Sequence, residues 1–336
     1  MPTDAIVPID GEVVPPGEAE AIATITRLIE NGVRAQAKTS PPARRDAHAK
    51  AHGCVKAEFR VLDDLPPELR VGVFAEPRIF KAWIRFSNGN PTPQADSVPD
   101  GRGMAVKLMD VAQSPSTTQD FVMIANPAFF VRNAVDYVAF QSASSPLRFF
   151  FPGFNPFRFR LHEGLVALAI AFRRARNPLN VRYWSMTPYA LGGTAIKFSA
   201  RPAGLPSPFV ATDSPNFLHD NLAKQLASGD AAFDFLVQPR TRPETMPIED
   251  PTITWDETAA PFLPVARITI RAQSFDSPAQ HAFCENLSFT PFHCCDVHRP
   301  LGGINRVRHV VYDAISRLRH ELNGAPRKEP TGWEIG

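Results

Sequence analysis

The stretch Arg306-Val-Arg-His-Val-Val-Tyr-Asp-Ala-Ile-Ser-Arg-Leu-Arg-His320, near the end of the chain, predicts a long helix. Apolar residues at positions 307, 310, 311, 315 and 318 give the stripe expected of a helix that faces a core. At about 100° per residue, Tyr312 lies roughly 40° around the helix from Arg308 and roughly 20° from Arg319. One tyrosine therefore shares a helix face with two guanidinium groups.

This face has two interpretations. In the first, Tyr312 is a buried structural side chain beside two solvated arginines. In the second, Arg308 holds the phenol of Tyr312 ionised, because a neighbouring cation favours the charged form. A phenolate is one of the few protein groups that can ligate haem iron. The choice between the two depends on the rest of the chain.

The composition is that of a folded protein without a nucleic-acid partner. The chain has 336 residues, 44% of them hydrophobic, with 34 Pro and 25 Phe. This hydrophobic fraction supports a sizeable core and argues against disorder. A net charge of +2 gives no indication of a nucleic-acid interface. No run reaches about 18 apolar residues, so we expect no membrane-spanning helix, and the first ten residues lack the features of a signal peptide.

The four cysteines predict reduced thiols. Cys294 and Cys295 are adjacent, which is poor geometry for an ordinary disulfide, and the chain contains no CxxC motif. We therefore expect a cytoplasmic protein. A metal cluster at His293-Cys294-Cys295 with His298 is an alternative, although its spacing matches no standard zinc pattern.

Hydrophobic periodicity predicts an α+β protein. Short strand-like runs joined by Pro and Gly turns cover residues 54–62, 78–87, 103–109, 120–124, 194–199, 232–238 and 265–271. Helical patterns cover residues 18–35, 133–142, 161–176 and 216–227, besides the closing helix. No boundary divides the chain, so we predict one domain over residues 1–336. Its core would span about residues 18–325, with residues 1–17 as an extended arm.

Three further stretches carry polar groups that a core does not require. Arg45-Asp46-Ala47-His48-Ala49-Lys50 places an imidazole near cations, just before the first strand. In Trp83-Ile84-Arg85-Phe86-Ser87, alternation puts Trp83, Arg85 and Ser87 on one face of a strand, which is either an inward polar site or a wet outer face. Asn126-Pro127-Ala128-Phe129-Phe130 follows a hydrophobic strand and, by itself, indicates core packing.

Together these stretches resemble the haem-dependent catalases, in the short single-domain form that includes catalase-related peroxidases and allene oxide synthase-like enzymes. The matching motifs occur in the family's order and are His48-Ala49-Lys50, Ile84-Arg85-Phe86-Ser87, Asp100 to Lys107, Pro127 to Arg132, Asn177-Pro178 through Ser185, Phe289-Thr-Pro, and Arg308-x-x-x-Tyr312. The resemblance implies a catalase-like antiparallel β-barrel with surrounding helices. It also implies that haem b binds against the C-terminal helix.

The resemblance assigns the haem contacts residue by residue. Tyr312 corresponds to the proximal tyrosinate ligand of the iron, and Arg308 to the guanidinium that keeps the phenol ionised. Arg45, Arg85 and Arg319 correspond to the arginines that pair with the haem propionates.

On the opposite side of the haem, the resemblance assigns the groups that act on peroxide. His48 corresponds to the distal base, Ser87 to the serine that orients it, and Phe130 to a phenyl ring beside the distal face. The family carries an asparagine two residues before the proline of its Pro-x-Phe-Phe segment, where this chain has Ala125. Asn126 would fill that role only if the loop is shifted by one residue.

The implied function is a haem-dependent peroxidase or catalase-like oxidoreductase. It would cleave the O–O bond of a small-molecule peroxide, either hydrogen peroxide or an organic hydroperoxide, through a ferryl intermediate, and the sequence does not identify the reductant. A fatty-acid hydroperoxide isomerase is an alternative, with the aromatic loop at 149–159 lining a wide apolar entrance. A non-enzymatic haem-binding protein is another, although haem binding alone does not require a distal base. We also expect a homo-oligomer, a dimer.

Overall fold

Eight antiparallel strands close into a barrel in the computed structural model, which describes residues 9–335. The strands of the sheet are β1 (Ala51–Val61), β2 (Ile79–Asn88), β3 (Arg102–Met109), β4 (Thr118–Ile124), β5 (Tyr183–Trp184), β6 (Tyr189–Leu191), β7 (Thr194–Pro202), β8 (Ala231–Pro239) and β9 (Leu263–Ile270). Their order is β5-β4-β3-β2-β1-β9-β8-β7, and β5 also pairs with β7, which closes the ring. The short β6 extends the sheet beyond β7. The predicted antiparallel barrel is confirmed.

The interior of the barrel is filled by phenyl rings. The ring centroids of Phe121 and Phe235 are 4.6 Å apart, and those of Phe59 and Phe235 are 5.1 Å apart. Ile84 and Phe86 of β2 point into this core, whereas Trp83 belongs to a separate cluster outside the barrel. The polar face of β2 is therefore an outer face, but it is covered by other elements rather than wet.

Seven α-helices surround the barrel in the described part of the chain. They are α1 (Glu18–Thr39), α2 (Ala134–Ser142), α3 (Pro146–Phe150), α4 (Leu161–Ala171), α5 (Phe217–Ser228), α6 (Pro278–Asn286) and α7 (Gly303–Asn323). The apolar stripe of α7 packs against α1, with Val311 and Ile315 buried beside Ile25 and Ile29. Val310, which the predicted stripe included, is exposed. No helix among residues 9–335 is long and apolar enough to cross a membrane.

Four helices differ from the sequence prediction. The first, α1, ends at Thr39 instead of residue 35, and the short α3 (Pro146–Phe150) lies in a stretch for which no helix was predicted. The helix predicted for 161–176 ends at Ala171, because the buried Asn177 fixes an extended segment through its bond to the carbonyl of Phe209, and the following Pro178 disfavours helical backbone at Asn177. The nine-residue α6 was not predicted. The sequence signal for this helix is limited to the two residues at its start. Ser277 caps the helix by accepting from the backbone N–H of Gln280, and Pro278 follows at the first helical position.

The N-terminal arm predicted for residues 1–17 is described from residue 9 onward, and residues 1–8 lie outside the described residues. Residues 9–17 form neither helix nor strand. Ile9 is buried in a cluster with Trp255 and Leu301, so this part of the arm is packed against the barrel side of the molecule.

Candidate active site

A cavity of about 800 Å³, counted to its open mouth, lies between the outer face of the barrel and α7. The lining comes from seven parts of the chain and comprises Arg45 to His48, Arg85, Ser87, Gly103 to Ala105, Val122, Met123, Ser288 to Thr290, Tyr312, Ile315, Ser316, Arg319 and Arg327. Residues predicted from distant motifs therefore meet in one place.

His48 is held in a single orientation by its surroundings. Its backbone is left-handed, with φ 58°, and its N–H donates to the carbonyl of Gly89 at 3.0 Å. Its Nδ1 is hydrogen-bonded to the hydroxyl of Ser87 at 3.0 Å. A Cβ atom built on Gly103 would lie 2.6 Å from the imidazole ring and 3.0 Å from Ser87 Oγ. The pairing of His48 with Ser87 therefore requires glycine at position 103.

The environment of His48 keeps its imidazole neutral. Burial lowers the pKa of His48 to about 3, and the nearby guanidinium groups of Arg85, Arg308 and Arg45 lower it further in the same direction. At neutral pH the ring is uncharged and can accept a proton. Because the pKa is low, a proton taken up by the ring is readily released again.

Tyr312 is supported by a hydrogen bond from Arg308, although Arg308 does not itself line the cavity. The Nε of Arg308 donates to the phenol oxygen of Tyr312 at 3.4 Å, and its guanidinium carbon lies 5.2 Å from the centre of the Tyr312 ring. Its Nη1 donates to Asn305 Oδ1 at 3.0 Å and to Tyr189 Oη at 3.3 Å. Burial alone would lower the pKa of Arg308, but the neighbouring Tyr312 and Tyr189 raise it above its ordinary value. The shared helix face predicted for Arg308 and Tyr312 is present.

The predicted arginines Arg45, Arg85 and Arg319 converge at one end of the cavity. Glu285 pairs with Arg45 at 3.0 Å and with Arg319 at 2.7 Å, and Arg85 lies nearby with its Nε buried and without a hydrogen-bond partner. Burial lowers the pKa of Arg319 to about 10, and Arg45 adds to that shift. Burial and Arg45 also lower the pKa of Arg85. Three cations beside the carboxylates of Glu285 and Asp46 leave an excess of positive charge that suits an anionic ligand.

The donor groups of the cavity suit the haem that the family resemblance implies. The buried, unpartnered Nε of Arg85 and the unbalanced charge beside it favour a ligand with carboxylate groups, as haem has. The phenol oxygen of Tyr312 is a donor type known to bind haem iron. Apolar contacts for a porphyrin come from Met104, Val122 and Ile315.

Two charged residues of the cavity were missed by sequence reasoning. Asp46 is next to Arg45 in sequence, and burial raises the pKa of its carboxyl to about 6. Arg327 lies beyond α7, on a segment that folds back over the cavity and is fixed to the barrel by an ion pair of Glu329 with Lys107 at 2.6 Å. Asp46 belongs to the stretch from Arg45 to Lys50 that the sequence analysis singled out, whereas no pattern around Arg327 indicated that it would reach the cavity.

Two predicted residues are not brought to the cavity. The Nδ2 of Asn126 donates to the carbonyl of Ala128 at 2.7 Å, and Asn126 is not part of the cavity lining. Ala125 is buried in the barrel core. Phe130 packs on Phe140 with ring centroids 4.8 Å apart, also away from the lining. The distal roles of Asn126 and Phe130 stay predictions.

The aromatic loop at 149–159, which the isomerase alternative needs at the entrance, does not line the cavity either. Phe149 is buried, whereas Phe154 and Phe157 are exposed to solvent. The loop therefore packs partly inward and partly outward, and it provides no specific support for the isomerase.

Comparison with known proteins gives one curated relative and several solved structures. No family model matches the sequence. A catalase-related peroxidase from Mycolicibacterium paratuberculosis is 27% identical over 274 residues, covering 74% of this chain and 81% of that protein. The alignment agrees with the family resemblance stated from the motifs.

Among solved structures, the fold is similar to that of catalases. A fungal catalase has a TM-score of 0.64 at 17% identity, with 85% of this chain and 61% of that chain covered. A bacterial catalase has a TM-score of 0.64 at 16% identity, covering 98% and 67% respectively. Catalase A from Saccharomyces cerevisiae has a TM-score of 0.64 at 18% identity, covering 86% and 65%. This chain therefore spans about two thirds of the length of these catalases.

Proposed function

We propose that this chain, which has the fold of the catalases and a sequence that resembles theirs, is a haem-dependent peroxidase. As a catalase- or peroxidase-like oxidoreductase, it would cleave the O–O bond of hydrogen peroxide or of an organic hydroperoxide. The observation that carries the proposal is the pairing of His48 with Ser87 in the same cavity that exposes Tyr312, with Arg308 behind the phenol.

The residues that would ligate the iron of haem b and pair with its carboxylates lie in the cavity lining. Tyr312 would ligate the iron, and Arg308, whose Nε donates to the phenol oxygen, would hold the phenol in position and supply a positive charge beside it. Arg45, Arg85 and Arg319 would pair with the two haem carboxylates. When bound, the haem would supply the Lewis-acidic iron and the electrons that O–O cleavage requires.

The chain's own contribution to the chemistry is proton transfer by His48. A neutral imidazole can take a proton from one peroxide oxygen and deliver it to the other, as a general base and then a general acid. The hydrogen bond of Nδ1 to Ser87 fixes the ring, so that the second nitrogen is the one that meets the substrate. Gly103 supports this arrangement by leaving room for the ring.

Peroxidase activity is favoured over rapid dismutation of hydrogen peroxide. The amide of Asn126 is engaged with the carbonyl of Ala128, so the donor that would help to position a small peroxide is not directed to the cavity. Loss of one preorganised donor costs about 10²–10³ in rate in other enzymes. A slower reaction that uses an organic reductant fits this arrangement better.

The test follows two products in one sample. Oxygen evolution from hydrogen peroxide and oxidation of an organic dye are measured side by side on the haem-loaded protein. We expect dye oxidation with slow oxygen release. Rapid oxygen release with little dye oxidation would instead make the chain a true catalase.

Two variants tie the activity to the site. His48→Ala should keep haem and lose reactivity with peroxide, whereas His281→Ala, which changes an exposed histidine paired with Asp276, should behave as the unmodified protein. Normal peroxide reactivity in His48→Ala would rule out His48 as the proton-transfer group.

A further inference from the structure

Exposed apolar side chains concentrate on one part of the surface. Seven of the eighteen large apolar side chains that are exposed among residues 9–335 lie between residues 147 and 172. They are Leu147, Phe154, Phe157, Leu161, Leu165, Leu168 and Phe172, and we call them the apolar patch. Phe157 is 98% exposed and Phe154 is 69% exposed. Exposed apolar side chains gathered in one segment indicate a binding site more often than scattered single ones do.

The helix α4 carries much of the patch, and it exposes its apolar face to solvent. Leu161, Leu165 and Leu168 are spaced by four and three residues, so they lie on one face of the helix, and that face is exposed. The one fully buried residue of α4 is Glu163, which pairs with Arg132. An ordinary surface helix buries its leucines and exposes its glutamate, and α4 does the reverse.

The base beneath the patch is firmly packed. Phe149 is 2% exposed, and its ring contacts Phe140 at 5.3 Å and Phe150 at 5.0 Å. The guanidinium of Arg160 lies 4.4 Å from the Phe149 ring and donates to the Phe149 carbonyl at 3.1 Å. The exposed side chains are therefore presented by an ordered support.

Positive charge surrounds the patch. Residues 143–176 contain six arginines and one carboxylate, the buried Glu163, which gives this segment a charge of +5 when the whole chain carries only +2. Five of the arginines are exposed, at positions 148, 158, 173, 174 and 176. The segment presents no exposed carboxylate, so its surface is apolar and cationic together.

We propose that the apolar patch docks on the surface of an anionic phospholipid bilayer. The phenyl and leucyl side chains would enter the boundary between head groups and acyl chains, and the arginines would bind lipid phosphates and anionic head groups. An amphipathic surface with basic residues around an apolar face binds membranes in this way. The mode is peripheral, since α4 has only eleven residues and cannot span a bilayer. It does not depend on the proposed enzymatic activity.

A second copy of this chain is a poorer occupant of the patch. A two-fold interface brings a surface against itself, so the exposed arginines around one patch would face those of the other. Like charges that face each other across an interface repel one another, and the segment has no exposed carboxylate to neutralise them. Anionic lipid supplies the opposite charge and an apolar phase at the same place.

Flotation of the full chain with lipid vesicles tests the proposal. We expect binding to vesicles of phosphatidylcholine mixed with phosphatidylserine, and weaker binding to phosphatidylcholine alone or at high salt. Phe157→Glu should abolish binding, whereas Leu205→Glu, which changes a 97% exposed apolar residue outside the patch, should not. Both variants should unfold at the same temperature as the unmodified protein, because each side chain is exposed.

The charge requirement has its own pair of variants. Arg158→Gln and Arg174→Gln each remove one positive charge, and each should weaken binding to the phosphatidylserine vesicles by about fivefold. Arg317→Gln, which changes an exposed arginine of α7, serves as the control. Absence of vesicle binding, or binding that Phe157→Glu leaves intact, would overturn the proposal. A dimer in solution that Phe157→Glu dissociates would assign the patch to a second copy and would also overturn it.

Discussion

The two walls of the cavity are built in different ways. The wall formed by α7 takes Tyr312, its supporting Arg308 and Arg319 from one helix, at spacings of four and seven residues. The wall formed by the barrel takes His48 from a loop, Ser87 from β2 and Gly103 from β3. The first is fixed by helix geometry alone, whereas the second exists only when three segments are in the correct register.

The register that makes the barrel wall is specific. Ser87 pairs with Gly103 across β2 and β3, and with Ala51 across β2 and β1. A shift of one residue would turn every side chain of a strand to the other face of the sheet. The function of the α7 wall should therefore be lost when one of its groups is removed. The function of the barrel wall should be lost when a group is displaced, even though that group is still present.

The largest expected effect breaks the α7 wall. Tyr312→Phe removes the oxygen proposed to bind iron, so we expect loss of most bound haem or a changed absorption spectrum in the purified protein. Tyr189→Phe is the matched control, because Tyr189 also accepts from Arg308, at 3.3 Å, but does not line the cavity. An unchanged spectrum in Tyr312→Phe would contradict the proximal assignment.

The next effect breaks the barrel wall without touching a reactive group. Gly103→Ala places a Cβ 2.6 Å from the His48 ring, so the imidazole must move. Because a displacement of about 1 Å can cost about 10² in rate, we expect the reaction with peroxide to slow by about that factor while haem stays bound. Gly193→Ala is the control, since nothing lies within 4 Å of its added Cβ. Full peroxide reactivity in Gly103→Ala would show that the ring position is not critical.

A smaller effect is expected at Asn126, which lies outside both walls. Asn126→Ala removes the hydrogen bond to the Ala128 carbonyl, which should lower the free energy of unfolding by about 1 kcal/mol. Because Asn126 does not line the cavity, the peroxide reaction should change by less than about tenfold, against about 10²–10³ for a lost distal donor. Denaturant unfolding and stopped-flow kinetics on the same sample separate the two. The larger kinetic loss would place the amide at the substrate.

At neutral pH the smallest effect is that of His48, whose contribution to stability changes only as the solution is made acidic. The pKa of His48 is lowered from 6.5 to about 3, chiefly by burial, so the unfolded chain binds a proton there more readily than the folded one. The stability contribution is present above pH 6.5 and is lost as the pH falls towards 3. His48→Gln should flatten this part of the curve of unfolding free energy against pH, with no change in slope above neutral pH. His281→Gln should leave the curve unaltered. An equal slope in both variants would show that His48 does not contribute to the dependence of stability on pH.

Much of this organisation was determined by the sequence itself. The helical period placed Arg308, Tyr312 and Arg319 on one face, and the strand period separated Ile84 and Phe86 from Arg85 and Ser87. Both are local properties, set by backbone geometry over a few residues. The antiparallel β core with helices outside also followed from such patterns.

Other features were decided only by the tertiary structure. The two residues of β5 close the barrel through pairs with β4 and β7, Arg327 reaches the cavity from beyond α7, and Gly103 is confined by a histidine more than fifty residues away in sequence. The outward leucines of α4 depend equally on what packs against that helix. Periodicity gives the face of an element on which a side chain lies, but the neighbour of that face depends on strand register and on the path of the chain.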